Sequence, residues 1–158
     1  MQKKNFSFYR YPGNVLIFCS ILLLFAGTSF AGDYVSVKKD GIRIRSAPNT
    51  DAEILWEVFE DFPLEIINKD GEWIQTVDFE GDKGWIFNSL TSDKKTAIIK
   101  VKTANMRIGP GTAYEVMASV KYGVVFNVID KEGPWIKVSH EDGTVGWVHN
   151  SLIWPSDP

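Results

Sequence analysis

A repeat at a spacing of 62 residues constrains this chain more than any other feature of its sequence. Residues 70–74 (DGEWI) recur as 132–136 (EGPWI), and residues 84–90 (GWIFNSL) recur as 146–152 (GWVHNSL). The register runs without a gap from residues 37–90 onto residues 99–152, and 17 of those 54 positions are identical. Because a repeat at a fixed spacing marks copies of one structural unit, the sequence predicts two tandem domains.

Each copy is composed of short segments with the character of β-strands. Residues 64–67 and 124–129 are rich in branched or aromatic side chains, and each run ends in a turn that contains glycine. The next apolar runs begin at Trp73 and Trp135 and are followed by the turns 80–82 and 142–144. This pattern predicts an all-β fold in which each copy forms a small barrel of about five short strands.

The repeat also sets the predicted domain boundaries. The first domain takes residues 32–90 and the second takes residues 96–154, with a tail at 155–158. Residues 91–95 (TSDKK) form a polar linker. Because a linker this short limits the separation of the two domains, we expect them to touch or nearly touch.

The N-terminus has the composition of a signal peptide. Lys3, Lys4 and Arg10 precede an apolar run over residues 15–25 that only Ser20 interrupts. The run is shorter than the roughly 20 apolar residues that span a membrane, and small residues follow it, so we expect residues 1–31 to be removed after Ala31. An uncleaved membrane anchor is the alternative. A lipidated Cys19 is disfavoured, because Cys19 lies inside the apolar run.

The charge of the remaining chain excludes several kinds of partner. Without residues 1–31, 14 Lys and Arg stand against 20 Asp and Glu, which gives a net charge of −6. An acidic surface repels phosphate backbones and anionic bilayers, so neither nucleic acid nor a membrane surface is expected as a partner. Since Cys19 is the single cysteine, the exported protein would have no disulfide and no thiolate nucleophile or metal ligand.

Two segments resemble the opening strand and loop of bacterial SH3-like domains. These segments are residues 105–112 (NMRIGPGT) and, more loosely, residues 44–50 (IRSAPNT), and the ending Gly-Trp-Val-x-x-Ser-Leu at residues 146–152 is similar too. The first copy departs from the family pattern at Ala47, where glycine is usual, and its residues 56–63 are rich in aromatics and acids. The resemblance implies two tandem SH3-like barrels of a kind that binds peptides or cell-wall peptidoglycan, often attached to a wall hydrolase.

The resemblance also places a candidate ligand groove beside the turn before Trp73 and Trp135, with an Asn-Ser step as the opposite wall. Packing of all these aromatics in the core is the alternative, and Trp85 and Trp147 are expected to pack there. The repeated arginines could either tie loop carbonyls together or bind a carboxylate. The candidate ligand-binding residues are Arg45, Trp56, Trp73, Asn88, Arg107, Tyr114, Trp135 and Asn150.

Residues suited to catalysis are sparse in this sequence. The two histidines, His140 and His149, do not recur in the first copy, and no group of acid, base and nucleophile emerges. We therefore expect no enzymatic activity, no metal site and no cofactor. The glycines of Gly109-Pro110-Gly111 are interpreted as a loop that needs backbone freedom.

The predicted function is that of an exported, non-enzymatic binding module that recognises peptidoglycan or a peptide in the cell envelope. The alternative is a protein-protein scaffold or regulator that docks onto another envelope protein.

Overall fold

A computed structural model of the chain describes residues 32–158. The predicted signal peptide, residues 1–31, lies outside the described residues. The described part is all-β, as predicted: it contains fourteen strands, two short 3-10 turns and no α-helix. Within residues 32–158, no helix is long and apolar enough to cross a membrane.

The strands form two sheets with the same topology, one for each copy of the repeat. The first sheet has the order β3-β2-β6-β5-β4-β1-β7, and the second has the order β10-β9-β13-β12-β11-β8-β14. The strands of the first sheet are β1 (Asp33–Val37), β2 (Ile42–Arg45), β3 (Ile54–Val58), β4 (Pro63–Asp70), β5 (Trp73–Val77), β6 (Lys83–Phe87) and β7 (Thr91–Ser92). Those of the second are β8 (Thr96–Ile99), β9 (Thr103–Arg107), β10 (Val116–Lys121), β11 (Val125–Glu132), β12 (Trp135–Ser139), β13 (Val145–His149) and β14 (Ile153–Trp154).

We refer to the chain covered by β1–β7 as the first domain and to that covered by β8–β14 as the second domain. Each sheet has seven strands where the sequence suggested about five. One of the extra strands in each sheet is β7 or β14. These strands have two residues each and follow the 3-10 turns Asn88–Leu90 and Asn150–Leu152. A two-residue strand is too short to leave an alternating pattern in a sequence.

Alternation along the strands separates a core face from an outer face. In β5, the buried Ile74 and Thr76 alternate with Trp73 and Gln75, which are partly exposed. The core of the first domain includes Ile44, Leu64, Ile74 and Ile86, and the core of the second includes Met106, Phe126, Ile136, Val138 and Val148. The period of two therefore directs aliphatic side chains inwards and leaves alternate residues on the outer face.

The glycine of each Gly-Trp step is required by close packing. A Cβ atom on Gly84 would lie 2.2 Å from Cγ2 of Ile44, and one on Gly146 would lie 2.6 Å from Cγ of Met106. Both glycines face the core between large side chains, so only the absence of a Cβ lets β6 and β13 approach their neighbours. This explains why glycine occurs at both copies of the position.

The two domains touch, as the short linker predicted. Ile98 of the second domain is 1% exposed and belongs to the hydrophobic core of the first. Tyr34 and Trp154 meet edge to face with ring centroids 5.3 Å apart, and Phe79 and Tyr122 lie at the same distance. Shared apolar packing of this kind resists separation of the domains.

Candidate ligand-binding grooves

The first domain has a groove on the outer face of its sheet. Its volume is about 480 Å³, and Trp73 and Phe87 form its aromatic part. The two rings meet edge to face, with centroids 5.4 Å apart and planes at 82°. Leu90 and Thr50 add an apolar and a hydroxyl group, and Arg45 lines the groove as well. We call this the first groove.

The second domain has a groove of about 350 Å³ at the same place, which we call the second groove. Trp135 and His149 meet edge to face there, with ring centroids 5.2 Å apart. Seven groove positions correspond at the spacing of 62 residues, and five of them keep their character: their members in the second groove are Arg107, Thr112, Trp135, His149 and Leu152. The fold therefore builds one groove twice.

Hairpin geometry explains why each tryptophan meets the second aromatic ring. Val77 pairs with Lys83 across the turn, and pairing continues along β5 and β6 until Trp73 lies opposite Phe87. In the second domain the same register places Trp135 opposite His149. Directly paired residues project on the same side of a sheet, so each pair forms a continuous aromatic surface.

Arg45 and Arg107 tie their loops together and also line the grooves. Nη1 of Arg45 donates a hydrogen bond to the carbonyl of Ala52 at 2.8 Å, and Nη1 of Arg107 donates to the carbonyl of Tyr114 at 2.6 Å. A guanidinium group has five N–H donors, so one loop bond leaves others for a ligand. The loop bonds hold the guanidinium group at the groove in a fixed position.

The two grooves differ in charge. The first groove is lined by Lys39, Arg43 and Arg45. In the second groove the repeat counterparts of Lys39 and Arg43 are Val101 and Asn105, and Arg107 is the arginine that remains. Nε of Arg43 lies 3.2 Å from the carboxylate of Glu57, which offsets part of the positive charge. The first groove is the better suited to an anionic ligand.

Asn88 and Asn150 begin the 3-10 turns beside the grooves and do not line them. The amide of Asn88 donates to the carbonyl of Glu72 at 2.8 Å, and the amide of Asn150 donates to the carbonyl of Pro134 at the same distance. These bonds join each turn to the residue just before the groove tryptophan. The asparagines therefore hold the 3-10 turn next to the groove through their backbone N–H groups, not through their side chains.

Tyr114 lies on the loop of the second domain, outside the residues that line the second groove. Its ring covers Gly109, where a Cβ atom would lie 2.4 Å from Cδ1 of the tyrosine. Neither Gly109 nor Gly111 has a positive φ. The prediction that these glycines supply backbone freedom was therefore wrong: they make room for the Tyr114 ring.

Trp56 belongs to β3 and is not among the residues of the first groove. Its side chain packs against the core of the first domain. Trp85 and Trp147 show the reverse behaviour: expected in the core, they are half-buried and alternate with the buried Ile86 and Val148. They lie on the outer faces, opposite Arg45 and Arg107 in the paired strands.

Sequence reasoning missed Phe87, His149 and the two leucines as groove residues. The signal for the aromatic pair was present: an antiparallel turn centred on residue 80 pairs residue 73 with residue 87, and one centred on residue 142 pairs residue 135 with residue 149. Leu90 and Leu152 follow the 3-10 turns, and no strand period leads to them.

The two histidines lie at separate places in the second domain. His149 lines the second groove, while His140 lines a different cavity. Nδ1 of His149 lies 2.8 Å from the hydroxyl of Ser151 and accepts the amide hydrogen of the same residue at 3.3 Å. This histidine therefore caps the 3-10 turn that forms the groove wall.

Three carboxylates cluster at one turn of the first domain. Ligand oxygens of Asp78, Glu80 and Asp82 lie within 4.8 Å of one another. The carboxylate of Asp78 accepts hydrogen bonds from the amides of Glu80 and Asp82, and Glu80 accepts one from the hydroxyl of Tyr122. The cluster thus stabilises the turn and the contact between the domains.

Comparison with known proteins identifies the unit that is repeated. A family described as "Bacterial SH3 domain" matches residues 38–93 and again residues 100–155. Among curated proteins, the chain is 31% identical over 150 residues to a Bacillus subtilis protein provisionally named N-acetylmuramoyl-L-alanine amidase YrvJ, with 87% of this chain and 29% of that protein covered. It is 36% identical over 76 residues to a Staphylococcus epidermidis protein provisionally named cell wall amidase LytH, covering 46% and 26%.

Among solved structures, an NlpC/P60 family protein from Bacillus cereus matches with a TM-score of 0.36 and 11% identity, covering 76% of this chain and 55% of that one. A score that low carries no argument. The chain spans less than a third of the length of the curated relatives it matches. The prediction that the protein is not an enzyme is contradicted by these relatives, because both are named as amidases.

Proposed function

We propose that this chain, which belongs to the bacterial SH3 domain family, binds cell-wall peptidoglycan through its two grooves and brings amidase chemistry to the wall. The observation that carries the proposal is the duplicated groove. Tryptophan, a second ring, arginine, threonine and leucine recur at matching places in both domains. The arginines also bond loop carbonyls, so the support comes from the whole set of groups recurring together at an outer-face groove.

The chemistry of the groove suits a peptidoglycan ligand. A tryptophan ring offers an apolar surface with one polar edge, on which a sugar face or a short peptide can lie. Trp73 is half-buried, whereas Trp135 is 9% exposed and offers a smaller part of its ring. A guanidinium group can hold a carboxylate by two parallel hydrogen bonds, and stem peptides carry carboxylates. Because Arg45 and Arg107 are already fixed by loop carbonyls, little side-chain freedom is lost on binding.

The names of the relatives support a link to wall hydrolysis. Both are named as amidases, one of the cell wall and one of N-acetylmuramoyl-L-alanine. Substrates of that class lie outside the cytoplasm, which supports an exported protein. We infer that the two domains hold such an activity against its insoluble substrate.

Two grooves in one chain favour polymeric ligands. After one groove has bound, the second binds within the same complex, and avidity can then exceed the affinity of one site by about 10² or more. The apolar contact between the domains fixes the relative positions of the grooves. A polymer with repeating units can therefore engage both.

Sedimentation with insoluble peptidoglycan tests the proposal. The full chain should be retained on purified Bacillus subtilis peptidoglycan, Trp73→Ala and Trp135→Ala should each reduce retention, and the double variant should abolish it. Ile67→Ala and Ile129→Ala are matched controls, since these side chains are exposed at a repeated position and line neither groove. If the unaltered protein stays in the supernatant, or if the control variants lose as much retention as the tryptophan variants, the proposal is wrong.

A further inference from the structure

The second domain has a cavity of about 290 Å³ that shares no residue with the second groove. Asn105 and Arg107 of β9 line the groove, while Met106 between them lines the cavity. Successive side chains of a strand point to opposite faces, so the cavity opens from the core side of the sheet. Its wall is apolar, with Ala118, Val124 and Phe126 beside Met106.

The rim of the cavity is polar. His140, Asp142 and Thr144 lie there, on the turn between β12 and β13. The amide of Thr144 donates to the Asp142 carboxylate at 2.8 Å and lowers the pKa of that carboxyl group. Asp142 is therefore anionic at neutral pH and can accept a hydrogen bond. The His140 ring meets Phe126 edge to face, with centroids 5.7 Å apart.

The first domain shows which group fits this space. At the spacing of 62 residues, Trp56 takes the place of Ala118. The strand pairing is equivalent, because Trp56 lies opposite Ile44 and Ala118 lies opposite Met106. Trp56 packs against the core of its own domain, and its indole Nε1 is buried without a hydrogen-bond partner among the described residues.

A second difference removes another aromatic side chain. Phe62 of the first domain is 7% exposed, and its counterpart in the second domain is Val124. Two large aromatic side chains of the first domain are thus replaced by two small ones at this cavity, while Phe126 takes the place of Leu64 and adds a ring to the wall.

We propose that the cavity of the second domain is a second binding site, which takes the tryptophan side chain of an extended partner peptide. The indole enters where Trp56 lies in the first domain, and its N–H faces the acceptors of the rim. Four residues of β10, Ala118 to Lys121, line the cavity. Since β10 is the outermost strand of its sheet among the described residues, a peptide can lie along it and insert the side chain.

The first domain differs from the second at the position of this opening. The first domain has Asp78, Glu80 and Asp82 at the positions of the rim residues, and its own Trp56 supplies the aromatic group. The two domains therefore share the outer grooves and differ at this site. A partner that carries an exposed tryptophan would bind to one domain and leave both grooves open for the wall.

Methyl resonances of methionine test the site directly. The chain has three methionines, of which Met106 lines the cavity and Met117 does not. The probe is a short uncharged peptide with one central tryptophan, added to the full chain labelled at its methionine methyl groups. We expect the Met106 signal to move upfield and saturate, because an inserted indole ring shields it. The Met117 signal should move less, because Met117 lies near Met106 beside Gly146 but does not line the cavity.

Two filled variants are the matched controls. Ala118→Trp restores the arrangement of the first domain, and Val124→Phe fills the other side of the cavity if the first variant folds poorly. Each should reduce the affinity for the probe by about tenfold or more. An alanine-only peptide should leave both signals in place.

Three results would overturn the proposal. These are an unmoved Met106 signal at saturating probe, an equal shift in a folded Ala118→Trp protein, and a shift that depends on protein concentration without any probe. The last result would mean that a second copy of the chain occupies the cavity. Because wall polymer is absent from this experiment, its failure would leave the peptidoglycan proposal intact, and the failure of wall sedimentation would leave this one intact.

Discussion

The rings of Trp135 and His149 meet edge to face, with centroids 5.2 Å apart and planes at 88°. Trp73 and Phe87 repeat the arrangement in the first domain, so a histidine and a phenylalanine contact the tryptophan in the same way at corresponding positions. Each ring supports the edge of its tryptophan and holds the indole at the groove. An aromatic contact of this kind contributes about 0.5–1.5 kcal/mol beyond the buried area.

His149 should therefore be replaceable by phenylalanine and not by alanine. In a Trp73→Ala background, which leaves the second groove to act alone, we expect His149→Phe to retain wall binding within about twofold. His149→Ala should weaken it by roughly 2- to 10-fold, because the indole loses its support. Binding isotherms on peptidoglycan measure both, and equal losses in the two variants would contradict this role.

Salt should affect the two grooves unequally. The first groove has Lys39, Arg43 and Arg45, whereas the second keeps Arg107. Raising the ionic strength from about 0.1 M to 1 M shortens the screening length from roughly 10 Å to 3 Å and weakens charge interactions at exposed sites. We expect this rise in salt to reduce the peptidoglycan affinity of Trp135→Ala, which retains the first groove, several-fold more than that of Trp73→Ala. The same salt dependence in both variants would count against the charge difference.

Alanine at the repeated glycine should destabilise the first domain more than the second. The new Cβ of Gly84→Ala would meet the branched side chain of Ile44, while that of Gly146→Ala would meet the flexible Met106 and Met117. Overpacking of this kind costs about 1–3 kcal/mol, and we expect Gly84→Ala at the upper end and Gly146→Ala at the lower. Urea denaturation measures the free energy of unfolding. A larger loss of unfolding free energy in Gly146→Ala than in Gly84→Ala would contradict this prediction.

The contact between the domains should show in a tyrosine titration. The hydroxyl of Tyr122 donates a hydrogen bond to the carboxylate of Glu80, and this bond, as the main cause, raises the pKa of Tyr122 from 10.0 to about 12. Since the pKa is raised on folding, the contact contributes its full stability below pH 10 and is lost as the pH rises through 12.

The ultraviolet absorbance of tyrosinate follows this titration. Glu80→Gln should lower the pKa of Tyr122, and Tyr122→Phe should remove the component that titrates near pH 12. If the titration curve of Tyr122→Phe still contains that component, another of the five tyrosines is responsible.

The repeat made the fold predictable, because its spacing and its glycine turns can be recognised in the sequence without knowledge of tertiary contacts. The placement of the candidate site residues depends on tertiary context to different degrees. Trp73 and Trp135 line the grooves, because strand register determines their side of the sheet. Trp56 lies against the core instead, and the chain beside it gives the same alternating signal as an outer-face residue would.

Other features lie beyond the reach of one sequence. Tyr114 packs over Gly109 because the loop folds back on itself. From the sequence alone, a glycine that makes room for a ring cannot be distinguished from one that provides backbone freedom. The cavity beside Ala118 arises from the absence of a side chain that the first domain has. The replacement of tryptophan by alanine was visible in the aligned copies. Only the structure shows that Met106 and Ala118 line the same cavity.

The most direct test of wall binding through both grooves is to follow the indole N–H signals of the six tryptophans while soluble peptidoglycan fragments are added. Variants of single tryptophans assign the signals. The account predicts that the signals of Trp73 and Trp135 shift and saturate, while those of Trp56 and Trp154, which pack against the core of the first domain, remain in place. Saturable shifts at Trp56 or Trp154 with Trp73 and Trp135 unchanged would contradict it, as would the absence of any shift with fragments of a wall that retains the protein.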